Sequence, residues 1–114
     1  MPRISRFDLF RTPADLLSYE IIQEQASALG RLGRALEAAL GELREFDALH
    51  QLWQASPAER QRRRGLVAEA GYALWLFVVQ REACGLRDSR SVMRDYKVPG
   101  EVVDRMGFFP TKQA

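Results

Sequence analysis

The chain has 114 residues, of which 46% are hydrophobic and 28% are charged, and its net charge at pH 7 is +2. These values fit one globular domain, and they argue against global disorder and against a strongly basic nucleic-acid-binding protein. A single cysteine excludes an internal disulfide bond. Early charges break up any signal-peptide core, and no apolar run approaches the roughly 20 residues of a transmembrane helix. We therefore expect a cytoplasmic protein with no membrane partner.

The first predicted element is one long helix over residues 12–54, preceded by an N-terminal arm, residues 1–11. Thr12 can cap this helix and Pro13 suits its first position. No further proline occurs before Pro57, and an apolar heptad repeat runs through the segment. Its two rows are Ile22, Leu29, Leu36, Leu43 and His50, and Gln25, Leu32, Ala39, Phe46 and Trp53. Such a repeat is typical of a long helix in a coiled coil or a bundle.

A second helix is predicted over residues 56–85. Ser56 can cap it, Pro57 suits its first position, and Gly85 suits the position just after its end. Because the connection to the first helix is only a few residues long, the two helices should be antiparallel neighbours. Residues 13–54 contain three basic and seven acidic side chains, and residues 55–87 contain six basic and three acidic ones. The opposite net charges favour this pairing.

Two short helices are predicted over residues 88–107, followed by a tail, residues 108–114. Asp88 can cap the first of them, and Pro99 can open the second, which Gly107 closes. The second long helix is about two-thirds as long as the first, so apolar residues between Leu16 and Ile22 have no cover. We expect the short pair to pack there, either in the same chain or in a second one.

The predicted fold class is therefore all-α: a long antiparallel helical hairpin with two short C-terminal helices, assembled into an oligomeric bundle. The second helix is apolar on two opposite faces, and the first helix can cover only one of them. A second copy of the chain is the simplest cover, which predicts a homodimer. The predicted interface consists of Leu29, Leu36, Leu43, Tyr72, Trp75 and Val79. The alternative is a monomer in which the C-terminal helices cover the second helix.

No catalytic, metal-binding or cofactor-binding residues are predicted, because the chain has one histidine and one cysteine and no glycine-rich phosphate loop. We interpret His50 and Cys84 as structural, and we expect no enzymatic activity. The densest charge cluster, formed by Arg60, Arg62, Arg63 and Arg64, is a candidate contact for an anionic partner. Its structural interpretation is pairing with the acidic end of the first helix, at Glu42, Glu45 and Asp47.

The apolar positions of residues 89–107 resemble those of a helix-turn-helix. The would-be recognition helix, however, carries Glu101 and Asp104 against Arg105 alone, and phosphate groups repel acids. We therefore do not expect nucleic acid as the partner. The leading function is a non-enzymatic homo-oligomeric interaction or scaffold protein with an unidentified protein partner. The alternative is a small dimeric DNA-binding regulator that uses residues 89–107.

Three blocks of sequence carry a family resemblance: Tyr19-Glu20-Ile21-Ile22, Ala28-Leu29-Gly30-Arg31-Leu32-Gly33, and Gln80-Arg81-Glu82-Ala83-Cys84-Gly85-Leu86-Arg87-Asp88. They resemble a family of short bacterial proteins that has no assigned function, over residues 15 to 107. The resemblance implies a bacterial cytoplasmic protein. It transfers no site residues.

Overall fold

The structure, a computed structural model, describes residues 12–107; the predicted arm (1–11) and tail (108–114) lie outside the described residues. Within residues 12–107 the chain forms helices and no strands, which confirms the predicted all-α class. The helices are α1 (Pro13–Leu49), α2 (Pro57–Ala83), α3 (Ser89–Asp95) and α4 (Gly100–Arg105), and a single 3₁₀ turn (Leu52–Gln54) lies between α1 and α2.

Helix α1 is continuous but shorter than predicted, since it ends at Leu49 and not at residue 54. At its start, the Thr12 hydroxyl accepts a hydrogen bond from the Asp15 N–H at 3.1 Å. At its end, the backbone becomes extended at His50, whose ring lies on the ring of Phe46 with a centroid separation of 4.0 Å. The His50 Nδ1 is 2.9 Å from the Phe46 carbonyl oxygen. His50 therefore caps the helix, and the residues after it turn towards α2.

Helix α2 begins directly after Ser56 and ends two residues before Gly85, the two residues that were predicted to mark its ends. The Ser56 hydroxyl accepts a hydrogen bond from the Glu59 N–H at 3.1 Å. At the other end, Gly85 has a φ of +86°, and its N–H donates to the Glu82 carbonyl at 3.0 Å. The Leu86 N–H donates to the Arg81 carbonyl at 2.8 Å, which completes a Schellman motif. The chain therefore reverses immediately after α2.

The core lies between α1 and α2 and extends to the two short helices. Helix α1 packs along α2, and each contributes one apolar face to a single cluster. Helices α3 and α4 add one buried valine each. The buried members of the cluster are Leu36, Leu40, Leu43, Leu66, Val67, Ala70, Leu74, Phe77, Val78, Val92 and Val102.

Helix α4 packs on α2 and Val92 of α3 is buried in the same core, so the prediction that the short pair covers Leu16 to Ile22 is wrong for the chain's own overhang. Helix α4 contacts α2 closely at Gly71, where an added Cβ would lie 2.9 Å from the Arg105 Cβ. The physical reason is the reversal at Gly85, which sends the chain back along α2 and away from the start of α1. The second apolar face of α2 is thus covered in part by its own chain, as in the monomeric alternative.

Candidate functional site

Arg63 is the centre of a charge network that joins three helices. Its Nε donates to Asp47 Oδ1 at 2.7 Å, and its Nη1 donates to Glu101 Oε2 at 2.8 Å. The Arg63 side chain is only 13% exposed. The two carboxylates raise the pKa of Arg63 further above its ordinary value, and the guanidinium lowers the pKa of Glu101 below its ordinary 4.5. Arg63 therefore ties α2 to both α1 and α4.

The other arginines of the predicted cluster are distributed differently. Arg60 and Arg64, together with Arg105 of α4, line a cavity of about 210 Å³, whose wall also includes the paired side chains of Arg63 and Glu101. Leu52 and Val67 form the apolar part of its wall. Arg62 is exposed and is not among the residues that line the cavity. Of the three acidic residues expected to pair with the cluster, Asp47 bonds to Arg63.

Two large apolar side chains near the connection from α1 to α2 are strongly exposed. Leu49, the last residue of α1, is 81% exposed, and Trp53, in the 3₁₀ turn that follows, is 74% exposed. We refer to the surface made of Leu49, Leu52, Trp53, Arg60, Arg64 and Arg105 as the hairpin tip. It combines apolar groups with three guanidinium groups, which is a suitable composition for binding an acidic, partly apolar partner.

A second exposed apolar surface lies at the opposite end of α1. Residues 13–24, which we call the overhang, are all exposed, because α2 ends before it reaches them. The large apolar side chains of the overhang are between 43% and 63% exposed, namely Leu16, Leu17, Tyr19, Ile21 and Ile22. The overhang is thus the part of α1 that the described chain leaves uncovered.

The residues of the predicted interface lie in different environments. Leu36 and Leu43 are 0% and 2% exposed inside the chain's own core, and they leave no surface for a second copy. Leu29 is half-buried against that core. On α2, Trp75 is half-buried, with Gly107 beside its ring, while Tyr72 and Val79 remain exposed. The exposed apolar surface was predicted on α2, but in the structure most of it lies on the overhang.

A groove of about 630 Å³ lies between α1 and the turn that joins α3 to α4. Its wall carries Glu37, Asp47 and Asp95 but also Arg44 and Lys97, so it has no dominant charge. Among residues 12–107, no three His, Cys, Asp or Glu side chains are grouped closely enough to hold a metal ion. None of the helices described here combines the length and the apolar character needed to cross a bilayer.

A model of a family of unknown function, DUF6665, matches residues 10–114. The chain belongs to the DUF6665 family. The resemblance noted in the sequence, to a family without an assigned function, is thereby confirmed in this respect. No curated protein and no solved structure matches the chain. Membership of DUF6665 assigns no site, so the function has to be argued from the surfaces.

Sequence reasoning on this DUF6665 chain missed two residues of the charged region. Glu101 is 38 positions from its partner Arg63, and Arg105 reaches the cavity only because α4 packs on α2. The only signal for Glu101 was the acidic character of the α4 segment, which does not indicate its partner. Both positions depend on the docking of α4 and could not be placed before that docking was known.

Proposed function

We propose that this chain is a non-enzymatic interaction protein that associates with copies of itself through the overhang. The observation that supports the proposal is the exposure of five large apolar side chains on consecutive turns of one helix. Ile22 belongs to the same heptad row as Leu29, Leu36 and Leu43, so the row continues beyond the end of the core. Several large apolar side chains left exposed within one short segment of a helix are typical of a protein–protein contact.

Energetics support a helical partner for this surface. Burying a large apolar side chain fully gains about 1.5–3 kcal/mol, so covering several half-exposed ones gains a substantial part of a small domain's stability. If two copies cover such surfaces, they bury on the order of 1,000 Å², which is near the lower limit for a specific interface. The expected association is therefore of moderate strength and depends on each apolar side chain.

The test is the mass of the chain in solution, measured by analytical ultracentrifugation over a range of concentrations. We expect the wild type to exceed its chain mass of 13.0 kDa and the variant Ile21→Glu to sediment as a folded monomer. Ala35→Glu is the matched control, because it adds the same charge to an exposed position in the middle of α1.

A wild type that stays monomeric at high concentration would refute the proposal. A third variant, Val79→Glu, separates the two exposed apolar surfaces. If it dissociates the assembly and Ile21→Glu does not, the contact lies on α2 and not on the overhang.

DNA binding by residues 89–107 remains the alternative function. In its favour, α3 and α4 are joined by a tight turn with Lys97 at a φ of 52°. Against it, α4 has only six residues, its Glu101 is bonded to Arg63, and its Asp104 is exposed.

In a gel-shift experiment we therefore expect weak binding without sequence preference that disappears as salt rises. Sequence-specific binding that persists at about 200 mM salt would make this alternative the leading one, with Arg90, Arg94 and Arg105 as the first contacts to replace.

A further inference from the structure

We propose that the surface that receives the overhang is the hairpin tip of a second copy, so that the chains assemble head to tail. This inference rests on the proposed self-association and names its second surface. The overhang and the hairpin tip lie at opposite ends of α1 in a molecule whose longest dimension is 69 Å. One chain therefore carries both halves of the contact but cannot bring them together by itself.

Charge is the first argument. Residues 12–30 contain Asp15, Glu20 and Glu24 and no lysine or arginine. At the hairpin tip, Arg63 is already bonded to two carboxylates, while Arg60, Arg64 and Arg105 surround the cavity. The acidic groups nearest to these arginines in sequence, apart from Glu101, are Glu59 and Asp104. An acidic helix and a surface with three guanidinium groups attract each other and orient the contact.

The pattern of side chains is the second argument. Leu17, Glu20, Ile21 and Glu24 are spaced three or four positions apart and so lie on one face of α1. That face alternates apolar and acidic groups. The cavity at the hairpin tip also combines apolar and charged groups, since Leu52 and Val67 line it together with the arginines. Trp53, the residue after Leu52, is exposed. The Glu24–Arg31 ion pair is 3.8 Å long and both of its side chains are more than 60% exposed. It is therefore weak enough for Glu24 to pair with an arginine of the second copy instead.

The competing arrangement is a twofold dimer in which two overhangs pair with each other. That arrangement brings Glu20 and Glu24, the acids on the face that holds Leu17 and Ile21, towards the same two acids of the copy, and residues 12–30 contain no lysine or arginine to offset the repulsion. It also leaves the hairpin tip without a role. A head-to-tail contact has neither disadvantage, and because it is heterologous, it leaves one unused surface at each end of the assembly.

The experiment mixes two variants that each damage one surface. Ile21→Glu damages the overhang, and the double variant Arg60→Glu/Arg64→Glu damages the hairpin tip. We expect each alone to lose at least tenfold in association constant, and their equimolar mixture to recover a complex of only two chains. Arg87→Glu/Arg90→Glu is the matched control, because it reverses two exposed charges away from the tip and should associate like the wild type.

Each outcome distinguishes the inference from the function on which it rests. A monomeric wild type would overturn both. Two other results would overturn the head-to-tail contact and leave self-association standing. In the first, the wild type self-associates and the hairpin-tip variant associates equally well. In the second, the two variants fail to form a complex when they are mixed. Circular dichroism checks that every variant is folded. If the double charge reversal does not fold, Trp53→Ser serves as the second hairpin-tip variant.

Discussion

Replacing Gly71 by alanine is expected to lower the free energy of unfolding by about 1–3 kcal/mol, the usual cost of overpacking. A Cβ at this position would lie 2.9 Å from the Arg105 Cβ and 3.0 Å from the Arg105 carbonyl oxygen. Helix α4 would have to move away from α2 to make room. The expected loss outweighs the gain of about 1 kcal/mol that alanine brings to a helix interior.

Gly65 provides the matched control on the same helix. No described atom lies within 4 Å of a Cβ built there, so Gly65→Ala should raise the free energy of unfolding by up to about 1 kcal/mol. Urea unfolding of the two variants beside the wild type measures both effects. If the two substitutions change stability in the same direction, α4 does not pack on α2 as the structure has it.

Replacing Arg63 by alanine is expected to lower the free energy of unfolding by about 1–3 kcal/mol at neutral pH, since hydrogen bonds to charged groups are among the stronger ones. The substitution removes the guanidinium that holds Asp47 of α1 and Glu101 of α4 together. Both carboxylates are partly exposed, so water compensates in part for the loss. Arg62→Ala, at an exposed neighbouring position, should change stability by less than about 0.5 kcal/mol.

The same network predicts a dependence of stability on pH. Arg63 lowers the pKa of Glu101 in the folded chain below its ordinary 4.5. The stabilisation is therefore present above pH 4.5 and is lost as the pH falls through the lower, folded-state pKa. Chemical unfolding measured between neutral and acidic pH should show this loss in the wild type, and a smaller loss in Arg63→Ala. Equal acid sensitivity of the two proteins would contradict the assigned ion pair.

The helices could be predicted because their signals are local. Each signal acts within one turn of the chain. The signals are the capping residues Thr12, Ser56 and Asp88, which precede Pro13, Pro57 and Ser89, and the glycine at position 85. The end of α1 was harder to place, because the heptad row continues through His50 although the backbone becomes extended there. Apolar periodicity marks which face is buried but does not show where the hydrogen-bonded helix stops.

The arrangement of the helices could not be predicted to the same degree. A heptad row such as Leu29, Leu36 and Leu43 needs an apolar partner, and the row is the same whether that partner is α2 of the same chain or a second copy. The choice depends on close contacts between distant residues, such as Gly71 with Arg105 and Arg63 with Glu101. For the same reason the cluster of four arginines was visible in the sequence, while the different environments of its members were not: Arg63 is ion-paired, Arg60 and Arg64 line the cavity beside it, and Arg62 is exposed.

The exposure of the overhang affects the local unfolding of α1. An isolated helix of about twelve residues is only marginally stable in water, and residues 13–24 gain little from tertiary burial. Their backbone hydrogen bonds therefore break by local fraying, whereas those around Leu36 and Leu40 break only when the whole domain unfolds. One uninterrupted helix thus contains two regions of very different local stability. The less stable region is the one we propose for binding, so contact with a partner would also slow its fraying.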